Sequence, residues 1–252
     1  MIRAENLTKK FEGKAAIDSL NLNIKKGSIY GLVGINGSGK TTAIKHLAGI
    51  YKADSGTLTF EEQSIYDNPL IKARIGYVAD ELYFFNGYGL KRLAGFYSRL
   101  YNTFSYERFD KLVEVMGLDT KRRVTKFSKG MQKQAALALS LSIMPDFLLL
   151  DEPIDGLDPI VRKKVFEEII DDVAARQMTV LISSHNLKEM DGICDTIGII
   201  KDGKMLMEKD LDDLKATTQN AMDSDKGEPS LDEIFIYVYE NEGDNNKTGG
   251  VQ

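Results

Sequence analysis

A glycine-rich segment between an apolar run and a helix-forming stretch constrains this chain more than any other feature. Residues 34–42 read Gly-Ile-Asn-Gly-Ser-Gly-Lys-Thr-Thr, which matches the pattern G-x-x-x-x-G-K-[ST]. The run before it, Tyr30 to Val33, suits a buried strand, and Lys40 to Ala48 suits a helix that Gly49 would end. Such a loop brings backbone N–H groups and the positive end of a helix close to a polyphosphate. We therefore predict a P-loop that binds ATP or GTP.

The polar positions of this loop have predicted contacts. Lys40 is expected to reach the β- and γ-phosphates of the nucleotide, and the Thr41 hydroxyl is expected to bind Mg²⁺. The residues predicted to surround the nucleotide here are Gly34, Asn36, Gly37, Ser38, Gly39, Lys40, Thr41 and Thr42. The alternative is a glycine-rich turn that binds nothing, and the strand–loop–helix context favours the phosphate site.

Composition excludes several classes of function. The chain has 252 residues, 42% of them hydrophobic and 28% charged, which is enough for one large domain. Its formal net charge of −5 argues against a general nucleic-acid binder, because such proteins need a basic face. Cys194 is the only cysteine, so an intrachain disulfide or a cysteine-based zinc site is excluded, and we expect its side chain to be buried.

The longest weakly polar run, Ala135 to Met144, is far shorter than the ~20 residues of a membrane span. We therefore predict a cytoplasmic protein without a transmembrane segment.

The order of predicted elements divides the chain into a core and an insertion. Strand patterns include Ile17 to Ile24, with alternating apolar and polar residues, and the continuous apolar run Phe147 to Leu150. Between the two groups of strands, residues of about 81–144 show helical spacing and no convincing strand. The predicted fold class is α/β: a P-loop NTPase core with a mainly parallel sheet, an N-terminal antiparallel β part and an inserted α-helical subdomain.

Local patterns give finer expectations. Helical spacing predicts one buried face made of Leu90, Leu93, Ala94, Tyr97, Leu100 and Tyr101. The Asp202-Gly203 pair predicts a β-hairpin. A short helix is expected over 210–216, a polar loop over 217–228 and a packed apolar segment over 231–239. We expect one domain over 1–240 and a disordered tail over 241–252.

Two acidic residues follow the apolar run that ends at Leu150. In P-loop enzymes an aspartate in this place, here Asp151, holds Mg²⁺. The next residue, Glu152, is free to face an attacking water, and this favours hydrolysis over transfer to a bound acceptor. The alternative is a strand that ends in a solvated acidic turn, which the upstream P-loop makes the weaker interpretation.

The segment Phe127-Ser128-Lys129-Gly130-Met131 lies between these two motifs. With this order of motifs, the chain resembles the ATP-binding cassette (ABC) family. The signature of that family is L-S-G-G-Q, and this sequence keeps Ser128 and Gly130 and departs at the other three positions. The F-S-K-G-M form is similar to the variant in cassettes of antibiotic-type and multidrug-type exporters. As a helix N-cap, Ser128 would leave N–H groups directed outward as a second anion site, or it would merely cap its own helix.

Three further segments carry the resemblance. Asp155-Gly156-Leu157-Asp158 resembles the D-loop of the family, and Ser183-Ser184-His185 resembles its switch histidine. Phe11 matches the aromatic residue that stacks on adenine, with a core phenylalanine at a strand end as the alternative. In Ile75-Gly76-Tyr77-Val78-Ala79-Asp80-Glu81, Asp80 occupies the place of the Q-loop glutamine. We predict that Asp80 is an additional oxygen ligand of Mg²⁺.

The resemblance implies a shared active site and a membrane partner. Two cassettes would meet head to tail as a homodimer or heterodimer, with Ser128 and Gly130 of one chain completing the ATP site of the other. The residues that the resemblance assigns to one ATP are Lys40, Thr41, Asp151, Glu152 and His185. A separate multi-span transmembrane subunit would hold the dimer at the inner face of the membrane, and the analogy favours export. No nucleic acid partner is expected.

Two rival functions remain at this stage. One is a soluble ABC-type ATPase with a regulatory or nucleic-acid-handling role and no membrane partner. The acidic charge and the single cassette without a long coiled-coil insertion argue against it. The other is a P-loop kinase, and the signature-like segment together with the Asp151-Glu152 pair argues against that reading.

Overall fold

Ten strands and eight helices make up the part of the chain that the computed structural model describes, residues 1–154, 156–185, 187, 190–222 and 230–245. The strands are β1 (Ile2–Phe11), β2 (Lys14–Ile24), β3 (Ile29–Val33), β4 (Ser55–Phe60), β5 (Gln63–Ser64), β6 (Ile75–Val78), β7 (Phe147–Asp151), β8 (Thr179–Ser184), β9 (Thr196–Lys201) and β10 (Lys204–Asp210). The helices are α1 (Lys40–Leu47), α2 (Pro69–Lys72), α3 (Leu90–Leu100), α4 (Tyr106–Val115), α5 (Lys129–Ser142), α6 (Pro159–Arg176), α7 (Leu211–Met222) and α8 (Leu231–Asn245). A short 3-10 turn, Val124–Lys126, precedes α5.

Two sheets confirm the predicted α/β class. The N-terminal sheet has the order β2-β1-β4-β5 and its pairs are antiparallel. The central sheet has the order β10-β9-β3-β8-β7-β6, in which only the β9–β10 pair is antiparallel among the described strands. Strands β3, β7 and β8 are buried along their whole length, which explains why their sequences are nearly continuous apolar runs.

Opposite faces of the central sheet pack on different layers. Leu149 and Leu181 point to the side of α1 and the N-terminal sheet, where they join Ile44 in one apolar core. Their neighbours Leu148 and Val180 point to the other side, into the core shared with the inserted helices and α6. The alternation of side chains along a strand therefore divides the molecule into three layers with the central sheet in the middle.

The register of the central strands sets the position of the site. Val33 at the end of β3 pairs with Ser184 at the end of β8, and Asp151 at the end of β7 pairs with Ser183. These strands are parallel, so their carboxyl ends meet at one edge of the sheet. Ligands of open α/β sheets bind beyond such an edge. The P-loop, the Asp151-Glu152 pair and His185 all leave the sheet here.

Helices α3, α4 and α5 form the inserted subdomain on one face of the central sheet. Ser105 caps α4 by accepting a hydrogen bond from the Arg108 N–H (3.1 Å), and Gly117 follows the helix at φ 64°. The apolar face of α3 was predicted to extend through Leu100, but that side chain is exposed (58%), while Leu90, Leu93 and Ala94 are buried. Tyr97 of the same last turn is partly buried against this core, so the prediction is wrong at Leu100.

The C-terminal region departs from the sequence prediction. Helix α7 continues to Met222, so the polar loop predicted from residue 217 is wrong over 217–222, and 223–229 lie outside the described residues. Leu231, Ile234 and Val238 of α8 are buried, as expected for the packed segment. Helix α8 also continues to Asn245, into the predicted tail, whose residues 246–252 lie outside the described part. None of the helices over the described residues is long and apolar enough to span a bilayer.

Candidate active site

The P-loop is supported by two neighbouring elements. Gly39 adopts φ 110° as the residue before α1, and a Cβ there would lie 2.8 Å from the carbonyl oxygen of Ala16 on β2. The N–H of Gly203, in the turn between β9 and β10, donates to the Ser38 carbonyl (2.8 Å). A glycine is therefore required where the loop passes closest to β2. The tip of the loop, at Asn36 and Gly37, is exposed.

Lys40 points back into the curve of the P-loop. Its side chain is almost fully buried, and its Nζ donates to the carbonyl oxygens of Gly34 (2.7 Å) and Ile35 (3.3 Å). The same ammonium lies 3.5 Å from Oε1 of Glu152. A buried cation at the loop and the N-terminus of α1 together make this a site for an anion. Thr41 and Thr42 follow in the first turn of α1.

Four different side chains hold the four polar groups of Glu152. Its Oε1 faces Lys40, and its Oε2 accepts from the Nδ1–H of His185 (3.0 Å). Its backbone N–H donates to Ser183 Oγ (3.1 Å), and its carbonyl oxygen accepts from the Nζ of Lys133. Glu152 is also in the left-handed region, at φ 47°. The carboxylate is therefore fixed in position at the edge of the sheet, with a histidine on one oxygen and a lysine near the other.

Asp151 presents a carboxylate oxygen that suits a hard cation. Its Oδ1 accepts from Ser183 Oγ (2.7 Å), whereas its Oδ2 is buried without a hydrogen-bond partner within the described residues. Asp151 lines a cavity of about 460 Å³ together with Thr41, Lys45 and Asp80. An unpartnered carboxylate oxygen, a threonine hydroxyl and a second carboxylate on one cavity are the donor types that Mg²⁺ prefers.

Asp80 makes an ion pair at the rim of this cavity. Its Oδ1 lies 3.2 Å from Lys133 Nζ, and its side chain is half exposed while the lysine is buried. Asp80, Glu81 and Tyr83 also line a second cavity of about 630 Å³, which includes Lys129 at the start of α5. The predicted role of Asp80 as a metal ligand stays a prediction, to which the structure adds this lysine partner.

The two signature residues lie at the N-terminus of α5. Ser128 is the N-cap, and its Oγ accepts from the Met131 N–H (3.2 Å), as predicted. A Cβ at Gly130 would collide with the carbonyl oxygen of Gly156, so close backbone packing explains this glycine. Among the described residues, neither Ser128 nor Gly130 lines the cavity that contains Thr41 and Asp151. Within one chain Ser128 and Gly130 therefore lie outside the cavity that the P-loop helix lines. Asp155 of the predicted D-loop lies outside the described residues.

Phe11 ends β1 as an exposed ring. It is 42% exposed, its edge packs on Tyr51 with the ring centroids 5.4 Å apart, and Lys9 Nζ lies 5.6 Å from its centroid. This exposure disagrees with the alternative of a core phenylalanine. A face remains on which a flat group could stack, so the role in adenine binding stays a prediction.

Two residues of the site were missed by the sequence reasoning. Ser183 bridges Asp151 and Glu152 through its hydroxyl, and it belongs to the quoted Ser183-Ser184-His185 segment without having received a role. Lys133 is a buried lysine on a helix whose other residues from 134 to 142 are apolar or small, apart from Gln134. A charged residue on a buried helical face is a signal for a specific partner, but the sequence does not name that partner.

Comparison with known proteins identifies the family. The family model described as "ABC transporter" matches residues 17–155, more than half of the chain. The ABC transporter ATP-binding protein YtrB of Bacillus subtilis is 34% identical over 247 residues, which cover 94% of this chain and 85% of the relative. The bacitracin transport ATP-binding protein BcrA of Bacillus licheniformis is 36% identical over 218 residues, covering 85% and 71% of the two chains.

Solved structures agree on the fold. A structure described as the ATP-binding subunit of an ABC transporter superposes with a TM-score of 0.86 at 21% identity, covering 95% of this chain and all of that one. A dimeric structure of the ATP-binding cassette MJ0796 bound to ADP and Pi gives a TM-score of 0.75 at 23% identity, over 84% of this chain and 99% of that one. With the motifs in place on this fold, the chain belongs to the ABC transporter family and is an ATP-binding subunit that hydrolyses ATP.

Proposed function

We propose that this chain drives export by a separate multi-span membrane protein, at the inner face of the membrane, through Mg²⁺-dependent ATP hydrolysis in a head-to-tail dimer of cassettes. The bacitracin transport protein BcrA and the lantibiotic transport protein SrtF of Streptococcus pyogenes, both 36% identical to this chain, support the transport role. The F-S-K-G-M form of the signature supports export over import. The observation that carries the enzymatic part is the fixed Glu152 carboxylate between Lys40 and His185.

Each of several residues of this chain has a proposed role toward ATP. Lys40 would leave the Gly34 carbonyl to bind the β- and γ-phosphates, while the N–H groups of the P-loop hold the remaining phosphate oxygens. Glu152 would orient the attacking water and accept its proton. His185 Nδ1 lies 3.0 Å from Oε2 of Glu152, so it would keep the carboxylate pointed at the γ-phosphate. Phe11 would stack on the adenine.

Thr41, Asp151 and Asp80 are the proposed Mg²⁺ ligands. Bound Mg²⁺ would neutralise negative charge on the phosphate oxygens. In this chain, the unpartnered Oδ2 of Asp151 and the hydroxyl of Thr41 are supplied to the cavity by the fold, because Ser183 occupies only the other Asp151 oxygen. Magnesium is commonly held by one or two carboxylates together with the phosphates of the substrate.

The dimer would complete the site from a second chain. Ser128 and Gly130 lie on an exposed helix N-terminus, apart from the P-loop cavity of their own chain. The N–H groups at this end of α5 suit an anion, so the signature of one cassette would bind the γ-phosphate held by the other. ATP would then join two copies, or this chain and a related one, and its hydrolysis would separate them.

The change Glu152→Gln tests this function. Because the amide keeps the shape of the carboxylate but does not accept the proton of water, we expect turnover to fall by at least ~10²–10³-fold while an ATP-bound dimer accumulates. Phosphate release and light scattering after size exclusion, with ATP and Mg²⁺, measure the two effects. Glu167→Gln on the exposed side of α6 is the matched control and should resemble the wild type.

Two outcomes would contradict the proposal. A Glu152→Gln protein that retains full turnover would remove Glu152 from the reaction, and a wild-type monomer that hydrolyses ATP at the full rate would exclude the shared site. The membrane partner is tested by co-purification: a multi-span protein should accompany the chain from membranes, and its absence there would favour the soluble alternative.

A further inference from the structure

Lys133 is a charged side chain in a place that ordinarily excludes charge. It lies in the second turn of α5, is only 6% exposed and is followed along the helix by buried apolar and small residues. Burying an ammonium is strongly unfavourable unless the group is paired and hydrogen-bonded. Lys133 has two such partners, the carboxylate of Asp80 and the carbonyl oxygen of Glu152. Both partners belong to loops that follow strands of the central sheet, β6 and β7.

The contact with Glu152 falls at a strained point of the backbone. Glu152 adopts φ 47°, a left-handed conformation that is unfavourable for a residue other than glycine. The peptide groups on its two sides are held by different elements: Ser183 of β8 accepts from its N–H, and Lys133 of α5 donates to its carbonyl oxygen. The direction of the Glu152 side chain follows from this backbone conformation. Removing the Lys133 ammonium would remove one of the two restraints.

The contact with Asp80 supplies the countercharge. Asp80 Oδ1 lies 3.2 Å from Lys133 Nζ, so the buried ammonium is neutralised from the half-exposed loop after β6. A neutral glutamine at position 80 would leave the ammonium with a carbonyl oxygen and no anion among these partners. The negative charge of Asp80 therefore compensates the positive charge of Lys133, and a charged residue at either position requires the opposite charge at the other.

We propose that Lys133 is a positioning residue, which fixes the main chain of Glu152 from the signature helix and depends on Asp80 as its counterion. Because Lys133 lies in the second turn of the helix that Ser128 caps, a displacement of α5 changes the restraint on Glu152. The helix that carries the signature is thereby linked to the residue that orients water. The inference rests on the proposed role of Glu152 and extends it to two residues outside the P-loop.

A double-mutant cycle tests the pairing. Lys133→Gln should lower kcat by ~10–100-fold with the KM for ATP within about twofold, because a small misplacement of a catalytic group affects the chemical step more than binding. Asp80→Gln should lower kcat by about tenfold, since it leaves the buried ammonium unpaired. In the double variant Asp80→Gln/Lys133→Gln the restraint on Glu152 is already lost with Lys133, so its kcat should equal that of Lys133→Gln instead of showing the product of the two losses. Lys163→Gln, at an 80% exposed lysine of α6, is the matched control.

A second measurement does not depend on turnover. The melting temperature of each protein without nucleotide or Mg²⁺ should fall in both single variants and fall no further in the double variant than in the less stable single variant, because the lost interaction is the same one in each. Equilibrium binding of a fluorescent ATP analogue shows that the variants are folded and still bind nucleotide.

The possible results separate this inference from the proposed function. A kcat of Lys133→Gln within twofold of the wild type, or additive losses in the double variant, would overturn the positioning role. If Glu152→Gln abolishes turnover at the same time, the proposed function stands without it. If Glu152→Gln retains turnover, the proposed function itself fails.

Discussion

Two groups of charged side chains, most of them buried, join helices to the rest of the molecule, and they differ in how completely their carboxylates are paired. The first, here called the α4–α6 cluster, consists of Arg108, Lys111, Glu168, Asp172 and Arg176. Arg108 bonds to Glu168 and lies 3.1 Å from Asp172, Lys111 lies 2.9 Å from Glu168, and Arg176 lies 3.2 Å from Asp172. Each carboxylate therefore meets two cations.

The second group is at the active site. Lys133 pairs with Asp80, and Lys40 lies near Glu152, but Asp151 keeps a buried oxygen without a partner among the described residues. The acceptors of the active site are not all satisfied by the protein, whereas the carboxylates of the α4–α6 cluster are shared between cations of the chain. The comparison indicates that the α4–α6 cluster serves docking of the subdomain, and that the active-site group leaves room for a metal ion and phosphates.

The largest effect on stability is expected from Arg108→Met. The change keeps an unbranched apolar stem but removes the guanidinium, which leaves two buried carboxylates with one cation each, so the free energy of unfolding should fall by ~2–4 kcal/mol. Chemical denaturation measures this loss. The kcat per folded molecule should remain that of the wild type, because the cluster does not touch the site. A large fall in the kcat of Arg108→Met at full nucleotide occupancy would show that the α4–α6 cluster also affects catalysis, against the distinction drawn between the two groups.

Ser183→Ala is expected to affect turnover more than stability, the reverse of Arg108→Met. It removes the hydroxyl that bridges Asp151 and Glu152, so we expect kcat to fall by about tenfold with a stability loss of ~1–2 kcal/mol. Steady-state kinetics and denaturation measure the two quantities. Ser142→Ala is the matched control, since that buried hydroxyl donates within its own helix to the Ala138 carbonyl (2.5 Å). Equal kcat for the two variants would show that the Ser183 bridge is structural.

The smallest expected effect is on the pH dependence of stability, and it tests the ion pairs of the α4–α6 cluster. Burial alone would raise the pKa of Glu168, but hydrogen bonds from Lys111 and Arg108 outweigh it and hold that pKa below its ordinary value. The resulting stability is present above the ordinary pKa of about 4.3 and is lost as pH falls through the lower folded value. We expect the unfolding free energy to decline on acidification below about pH 4.3, and less steeply in Glu168→Gln. Parallel pH profiles for the two proteins would contradict this.

Local sequence determined much of the architecture. The apolar runs at β3 and β7 and the Asp202-Gly203 hairpin were all predicted, because strand burial and turns depend on neighbouring residues. The same holds for the P-loop and the Asp151-Glu152 pair, where the spacing of residue types is itself the chemical requirement. The ends of α7 and α8 were less predictable, since packing of one face extends a helix into polar sequence.

Only the tertiary structure determined which residues form hydrogen bonds with the main chain of Glu152. Lys133 and Ser183 are 19 and 31 residues away from it along the chain, and nothing near either residue specifies that contact. Asp80 illustrates the same limit: the sequence shows an anion in place of an amide and suggests a metal ligand, whereas the fold adds a buried lysine 53 residues away as its partner. Periodicity and spacing encode elements and motifs, but the partner of a buried charge depends on which elements the sheet order brings together.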